Sequence, residues 1–596
     1  MEPRRVALAV LLMAAVLIAT PYLFPPPAVT PNAAATAQAS ADSLAGSTGQ
    51  NAITGGAADN AAGGTERSGA AATNAGQAQG VIGGEQATRA DAGDTAGDSA
   101  APGTAAVATV PVDTTLVNTV LADFRTSNMG AALVGATFRS YPELSNKGKV
   151  HGGPVELAVS NLPLLSYRVV VPGDTIALDR LVFSESTSSE NGVTKVSYTA
   201  DLPGAGARQV AIDYSFLPDS YRVNVSAHLR GNAENTFLLV DLPRGFNSSE
   251  ADSTEDERHL SYAYKNELRG AKAVTFRSLD PGELRVESGP ITWAVAKNKY
   301  FMVGVLTPVG GQGFLEADFV GGPRTGKRAT RGEGTLVAAL GSGAVNFEVY
   351  AGPQEFKRLV AMGREFETSN PYGGWIQGII QPFATMVIQL LLWMKATLGL
   401  SYGWILVIFG VAVRVILWPL NQRAMRSQLA MQRIQPELQD IQKRYKGNPQ
   451  QLQTAMMQLY KEHGMSPFSS LSGCLPMLIP MPVFFALFFV FQNTIEFRGV
   501  PFLWFPDISV KDPYYIIPVL VAVTSYLMTW IGMRGTKSND QQKMMLYLMP
   551  GIMLIFFANF ASGLNIYYFI QNLASLPQQW FIARERRKAS PAVVKG

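Results

Sequence analysis

The stretch YGWILVIFGVAVRVILWPL, at residues 402–420, decides the class of the fold. As an α-helix rising about 1.5 Å per residue, it would be about 28 Å long, close to the hydrocarbon thickness of about 30 Å in a bilayer. Its only charged residue is Arg414, so the rest of the stretch is compatible with lipid. We therefore predict a membrane-spanning helix that carries a single cation.

Further apolar stretches lie on both sides of this one. They are residues 6–24, 375–398, 474–492, 514–532, 544–558 and 564–582. Charged residues make up only 16% of the chain, against about 25% in an average soluble protein. The pattern predicts a multi-pass α-helical membrane bundle.

Basic residues between these stretches predict the orientation of the chain, because short cytoplasmic loops collect Lys and Arg. Arg4 and Arg5 place the N-terminus in the cytoplasm, and the strongly basic segment 421–463 should be cytoplasmic as well. That segment would fall outside if both of the apolar stretches that precede it crossed the membrane. We therefore predict that residues 374–399 lie flat, as an interfacial amphipathic helix.

The predicted segments follow from this orientation in the inner membrane, with both termini in the cytoplasm. They are an N-terminal transmembrane anchor at 1–24, a linker at 25–111, a periplasmic domain at 112–355, the interfacial helix at 374–399, a five-span core at 400–588 that includes a cytoplasmic helical hairpin at 421–465, and a cytoplasmic tail at 589–596. A cleaved signal peptide is the alternative for the first segment.

The two segments before the core differ sharply in composition. Residues 25–111 are nearly all Ala, Gly, Thr, Asn, Ser and Asp, which cannot bury enough apolar surface to fold, so we predict a disordered linker. Residues 112–355 contain short alternating runs such as 208–216, separated by Pro, Gly, Asn and Asp. This pattern predicts a large all-β sandwich.

Residues that would indicate catalysis are sparse. The single cysteine, Cys474, excludes a disulfide within the chain, and the four histidines lack the common zinc spacings. We identify no nucleophile paired with a base and no glycine-rich phosphate loop, and therefore predict no enzyme activity, metal or cofactor. The net charge of +4 is too small to indicate a DNA partner.

Arg414 is the most informative single residue. A guanidinium in hydrocarbon costs on the order of 2.5–3.5 kcal/mol on insertion scales. It could reach the inner headgroups by extending its side chain, or it could face a water-filled cavity inside the bundle. No Asp or Glu lies in the other spans, and Asn565, Tyr568 and Asn572 share one face of the last helix, with Gln571 beside them. These polar residues could line the cavity or make ordinary interhelical hydrogen bonds.

Prolines interrupt most of the predicted spans. They are Pro419, Pro476, Pro480, Pro482, Pro518, Pro550 and Pro577. Each removes a backbone hydrogen bond and is expected to bend or break its helix, so we predict an irregular bundle.

The hairpin at 421–465 is predicted from two helical patterns, at 422–445 and 450–463. Each has an apolar stripe, which could simply close the hairpin. The alternative is that methionines such as Met431, Met456 and Met457 form an adaptable surface for apolar partners. The surplus positive charge would suit anionic lipid or ribosomal RNA.

Six sequence strings resemble those of one membrane-protein family. They are VRVILWPL (413–420), QPELQ (435–439), GCLPMLI (473–479), MPVF (481–484), DPYYIIP (512–518) and SGLNIYY (562–568). Together they are similar to the YidC/Oxa/Alb family of membrane protein insertases. The resemblance departs from the better-known pattern at Gly410 and Pro480.

The resemblance implies a function and a set of partners. It implies that Arg414 is the groove arginine and that Tyr567 and Tyr568 are the tyrosines of the last helix. Pro436 and Glu437, in the matching string at 435–439, lie in the predicted hairpin. It implies nascent membrane proteins, the Sec translocon and the ribosome as partners.

We therefore expect a hydrated, positively charged groove that receives hydrophobic segments of clients and releases them sideways into lipid. The residues expected to line it are Arg414, Asn565, Tyr567, Tyr568, Gln571 and Asn572. The alternatives are an anion or small-solute transporter, and an envelope scaffold that acts through the sandwich.

Overall fold

The structure, a computed structural model, describes residues 112–144, 150–204, 208–370, 377–445, 447–463, 481–533 and 540–589. The predicted anchor at 1–24 and the predicted linker at 25–111 lie outside these residues. The described chain consists of a β domain followed by a helical part.

The β domain contains two antiparallel sheets. The smaller sheet has the order β1-β2-β3-β4, with strands β1 (Thr114–Asn118), β2 (Ala122–Ser127), β3 (Ala132–Leu144) and β4 (Val150–Glu156).

The larger sheet holds the remaining strands. They are β5 (Ser166–Val171), β6 (Asp174–Ala177), β7 (Ser184–Glu190), β8 (Val193–Asp201), β9 (Gln209–Phe216), β10 (Arg222–Arg230), β11 (Phe237–Asp241), β12 (Ser261–Asn266), β13 (Gly270–Thr275), β14 (Leu284–Lys297), β15 (Phe301–Leu306), β16 (Phe314–Gly321), β17 (Gly332–Ala339) and β18 (Ala344–Pro353). Their order is β6-β5-β11-β17-β16-β14-β15-β18-β10-β9-β8-β7, and the β12–β13 hairpin joins at β14.

Buried side chains alternate with more exposed ones in many strands of this domain. In β9 every second residue is buried, as expected for a strand with one face on the core. Tyr167 on β5 and Tyr214 on β9 are fully buried, and their hydroxyl oxygens lie 2.8 Å apart, although their strands lie near opposite ends of the sheet. The large sheet therefore folds over on itself, and one sheet supplies both layers of this part of the core.

The chain contains nine described α-helices, of which the first two are short and belong to the β domain and the other seven form the helical part. Two short helices within the β domain are α1 (Ser253–Arg258) and α2 (Phe356–Ala361), and the later helices are α3 (Gln377–Leu398), α4 (Tyr402–Arg444), α5 (Pro449–Glu462), α6 (Met481–Asn493), α7 (Ile516–Met533), α8 (Asp540–Phe557) and α9 (Ser562–Ala589). Helices α3, α4, α6, α7, α8 and α9 all contribute to one apolar core.

Helix α4 is continuous from Tyr402 to Arg444. It joins the predicted span at 402–420 to the first helix of the predicted hairpin, so the helix is not broken at Pro419, one of the prolines that we expected to bend or break their helices. A proline removes one hydrogen bond from the helix interior, and a long helix whose neighbours support it tolerates that loss. The hairpin is therefore an extension of the span and not a separate unit.

Helix α3 corresponds to the segment predicted at 374–399. It packs against α6 and α4 through buried residues that include Ala384, Val387 and Leu391, whereas Trp393 and Leu398 are about half exposed. Its placement at the membrane interface stays a prediction.

Two described helical segments are long and apolar enough to cross a membrane, Tyr402–Arg423 and Ile516–Met533. Met481–Asn493 and Leu546–Phe557 are apolar but shorter. Only 28% and 22% of the most apolar windows in the two long segments are buried, although core helices of soluble proteins are buried on most sides. Lipid would cover the apolar surface that these helices expose.

The loop between α6 and α7 joins the two parts of the chain. Ile495 is buried in the core of the β domain, and Phe497, two residues later, is buried in the helical core. The Arg498 side chain is 3% exposed and its Nε donates to Glu250 Oε1 of the β domain at 2.8 Å. The backbone N–H of Phe356 donates to Glu496 Oε1 at 3.1 Å. The β domain is thus held on the helical part through apolar, ionic and backbone contacts.

Candidate functional site

Arg414 lies in the middle of the apolar segment of α4. Along the helix axis, at about 1.5 Å per residue, it is about 15 Å from the exposed Trp404 and about 14 Å from Arg423. Beside it Val411, Val415 and Ile416 are 43%, 62% and 69% exposed. The cation is therefore flanked by an open apolar surface.

The guanidinium of Arg414 has one described hydrogen-bond partner, the side chain of Gln578. Its Nη2 donates to Gln578 Oε1 on α9 at 2.6 Å, and the amide Nε2 of Gln578 donates to the carbonyl of Trp418 at 3.4 Å. The Nε of Arg414 is buried and has no hydrogen-bond partner among the residues that the structure describes. Within the same residues no carboxylate pairs with Arg414, so its described partner is neutral.

One face of α9 follows α4 over several turns. The Nε2 of Gln571 donates to the carbonyl of Gly410 at 3.2 Å and to the hydroxyl of Tyr567 at 3.1 Å. The ring of Tyr567 packs on Phe409, with 5.8 Å between the centroids. We call the contact region formed by Arg414, Tyr567, Gln571 and Gln578 the α4–α9 seam; Tyr567 and Gln578 are buried within it.

Gln578 is the member of this seam that sequence reasoning missed. Tyr567, Gln571 and Gln578 are spaced by four and seven residues, so they share one face of a helix that turns about 100° per residue. That spacing was visible in the sequence. The predicted polar face was instead built from Asn565, which lies on the opposite side of α9 from Tyr567.

The described contacts of Asn565, Tyr568 and Asn572 are with other helices and not with Arg414. Asn565 Nδ2 donates to the carbonyl of Phe557 at 3.0 Å, at the end of α8, while its buried Oδ1 has no partner among the described residues. Asn572 Nδ2 donates to Ser525 Oγ on α7 at 2.9 Å. Tyr568 packs on Phe557 with 4.7 Å between the ring centroids. These three residues make contacts between helices.

Gly410 stands at one of the two positions that depart from the family pattern. A Cβ there would lie 3.1 Å from Ile570 Cγ2, so glycine allows α9 to approach α4 closely. The polar group that this position contributes is its carbonyl, which Gln571 contacts. Pro480, the other departure, lies outside the described residues.

The hairpin is closed by its apolar stripes. Ile434 on α4 and Leu459 and Tyr460 on α5 are buried together, with Met456 packed against them. Met457 is 48% exposed, and Glu437 lies 3.7 Å from the imidazole of His463. The side chains of Met431 and Pro436 lie outside the described residues.

Metal ligands are not grouped in the described ranges. No cluster of three or more His, Cys, Asp or Glu side chains there could hold a metal ion. The chemistry of the α4–α9 seam is therefore that of one cation among neutral hydrogen-bonding groups and exposed apolar side chains.

Each of the two parts of the chain matches a known protein family model. Residues 110–386 match the model of the YidC periplasmic domain, and residues 393–589 match that of the 60Kd inner membrane protein. The curated membrane protein insertase YidC of Chlorobaculum parvum is 30% identical over 526 residues, which cover 83% of this chain and 87% of the relative. That of Chloroherpeton thalassium is 30% identical over 493 residues, which cover 77% and 82% of the two chains.

A solved structure is also similar in part. The crystal structure titled as an active YidC insertase with its first transmembrane domain resolved has 19% identity, covers 78% of this chain and 92% of its own, and has a TM-score of 0.32. The extent of the curated matches shows that this chain belongs to the YidC family of membrane protein insertases.

Proposed function

We propose that this chain is an inner-membrane protein insertase that receives the polar or acidic N-terminal part of a client beside Arg414. The observation that carries the proposal is a guanidinium within the apolar part of α4 that has a neutral partner, Gln578, and no carboxylate partner among the described residues. A cation that is not neutralised attracts negative charge, and its attraction is stronger where little water screens it. The client would thereby cross less hydrocarbon with its polar end.

The apolar helix of the client would leave along the exposed face of α4. Val411, Val415 and Ile416 lie next to Arg414 and offer an apolar surface that continues into lipid. The driving force would be the transfer of the client's own side chains, about 0.3–0.6 kcal/mol for each Leu, Ile, Phe or Val at the helix centre. No nucleotide is needed for this step.

The proposal also covers the residues that line the groove and the membrane topology of the chain. Tyr567 and Gln571 would line the groove with Arg414, and Asn565, Tyr568 and Asn572 would hold the helices around it. We also propose a multi-pass core at 400–588 with both termini in the cytoplasm, as the distribution of basic residues supports.

The partners are part of the same proposal. Nascent membrane proteins would be the clients, and the ribosome, the Sec translocon and anionic lipid would be partners. The hairpin would deliver clients, with the exposed Met457 and the charged Glu437 on its surface.

The experiment compares Arg414→Gln with Arg414→Lys, in proteoliposomes, for clients whose N-terminal tail carries Asp or Asn. A contact between unit charges at 4 Å is worth about 1 kcal/mol in water and about 4 kcal/mol near a protein surface. We therefore expect Arg414→Gln to slow insertion of the Asp client about tenfold or more. Arg414→Lys should retain most of the activity, and the Asn client should respond little to either change.

A photocrosslinking experiment distinguishes the insertase function from the alternative in which the chain is an envelope scaffold. A photoreactive residue at Val415 should capture a stalled nascent membrane protein, and one at Leu268, which is 82% exposed in the β domain, should not. Capture from Leu268 alone, together with unchanged insertion by Arg414→Gln, would replace the proposed function with the scaffold.

A further inference from the structure

Gln578 joins α4 to α9 at the level of Arg414. Its side chain is almost fully buried, with 1% of the residue exposed. Its oxygen accepts from Arg414 Nη2 at 2.6 Å, and its nitrogen donates to the Trp418 carbonyl at 3.4 Å. Both ends of one amide are therefore used between the two helices.

The orientation of this amide follows from chemistry. A backbone carbonyl can only accept a hydrogen bond, and a guanidinium can only donate. The NH₂ end of Gln578 must therefore face Trp418, and the oxygen must face Arg414. A flipped amide would oppose donor to donor and acceptor to acceptor, so the arrangement selects one rotamer.

We propose that Gln578 is a positioning residue that holds the Arg414 guanidinium in the α4–α9 seam without cancelling its charge. This inference rests on the proposed function. A carboxylate at the same place would bind the guanidinium more strongly but would neutralise it. A neutral amide satisfies one N–H of the arginine and leaves the positive potential for the acidic end of a client.

The seam supports this division of roles among its polar residues. Gln571 contacts the Gly410 carbonyl and the Tyr567 hydroxyl, so it fastens helix to helix without touching the cation. The buried Nε of Arg414 remains without a described partner while Nη2 is held. Gln578 thus fixes one edge of the guanidinium without supplying a countercharge.

The test uses Gln578→Glu and Gln578→Leu, with Gln579→Glu as the matched control. Gln579 is the next residue of α9, and its side chain lies toward Gly532 of α7. Each variant is assayed in proteoliposomes with the Asp-tailed and Asn-tailed clients. Glutamate keeps the size and the acceptor of Gln578 but removes its donor to the Trp418 carbonyl. The Asn-tailed client therefore reports any loss that is not due to charge, and this comparison holds even if the leucine variant folds poorly.

We expect Gln578→Glu to slow the Asp-tailed client about tenfold and to change the Asn-tailed client by less than about twofold. Gln579→Glu should change both clients by less than about twofold, because a charge at that side of α9 does not neutralise Arg414. Gln578→Leu should also slow the Asp-tailed client, and should add no further loss when combined with Arg414→Gln.

The outcomes separate this inference from the proposed function. If Arg414→Gln slows the Asp-tailed client but Gln578→Glu does not, the positioning role is wrong and the groove stands. Equal loss for both clients in Gln578→Glu would show a general tie between helices and would also overturn the inference. If Arg414→Gln itself has no effect, both proposals fail.

Discussion

Replacing Arg498 by methionine would leave a buried carboxylate without its cation at the junction of the periplasmic β domain and the helical part. The side chains of Arg498 and Glu250 are 3% and 8% exposed, and Nε lies 2.8 Å from Oε1. Arg498 Nη2 also donates to the Pro142 carbonyl at 3.0 Å. Burial raises the pKa of the Glu250 carboxyl, and the Arg498 guanidinium opposes that shift.

The size of the effect follows from the least costly way in which Glu250 can respond. A stranded carboxylate can become neutral by taking up a proton, and from an ordinary pKa of about 4.3 this costs about 3.7 kcal/mol at pH 7. Removing one partner of a buried ion pair typically costs about 3–5 kcal/mol, which agrees with that figure. At pH 5 the same protonation costs only about 1 kcal/mol, so acidification should rescue the variant.

Hydrogen exchange on the full chain in nanodiscs measures how readily the junction between the β domain and the helical part opens. The N–H of Phe356, which donates to Glu496, and the N–H groups of the 493–512 loop report on the junction. Relative to the wild type at the same pH, we expect protection in Arg498→Met to fall about 500-fold at pH 7 and only about fivefold at pH 5. Adding Glu250→Gln should restore most of the protection at pH 7.

The control is Lys511→Met in the same loop. Lys511 pairs with Asp252 at 3.6 Å, but both side chains are about half exposed, and such surface pairs contribute about 0–1 kcal/mol. Protection in Arg498→Met within about threefold of the wild type at pH 7 would refute the reasoning. So would a loss at pH 5 as large as the loss at pH 7.

Two further predictions concern the hairpin and the periplasmic domain. Leu459 is 5% exposed at the hairpin contact, so Leu459→Ala should destabilise α5 by about 2–3 kcal/mol, as measured by hydrogen exchange. Met457→Ala, at a half-exposed position, should cost less than about 0.5 kcal/mol. Equal effects of the two substitutions would contradict the packing of Leu459 in the hairpin. Burial, with nearby Glu250, raises the pKa of Asp256 from 3.8 to about 7, so the folded domain holds a proton that the unfolded chain releases. Stability should therefore fall as the pH rises from about 4 to about 7, by up to about 1.4 kcal/mol per pH unit. Asp256→Asn should flatten this slope in urea unfolding; an unchanged slope would assign it to other groups.

The repeating patterns of the sequence were sufficient for the general class of the chain and for the type of many elements, although α4 joins two segments that were predicted as separate helices. Alternation in β9, the apolar segment around Arg414 and the stripes of the hairpin each depend on residues two to four positions apart. Such spacings decide which face of a strand or helix is buried, because the backbone geometry repeats over that distance. The six strings that resemble the YidC/Oxa/Alb family are also short and contiguous, so they could be recognised from the sequence alone.

Tertiary structure alone decided which of these faces meet. Arg414 finds Gln578 across 164 positions of the chain, and Arg498 finds Glu250 across 248. Gln571 and Asn572 are adjacent and equally polar, yet one contacts α4 and the other α7. Their partners depend on how helices pack, and that depends on the summed burial of many side chains and not on the identity of a neighbour in sequence. The sequence determined that a cation lies within an apolar helix, and the packing of α9 against α4 decided that a neutral amide holds it.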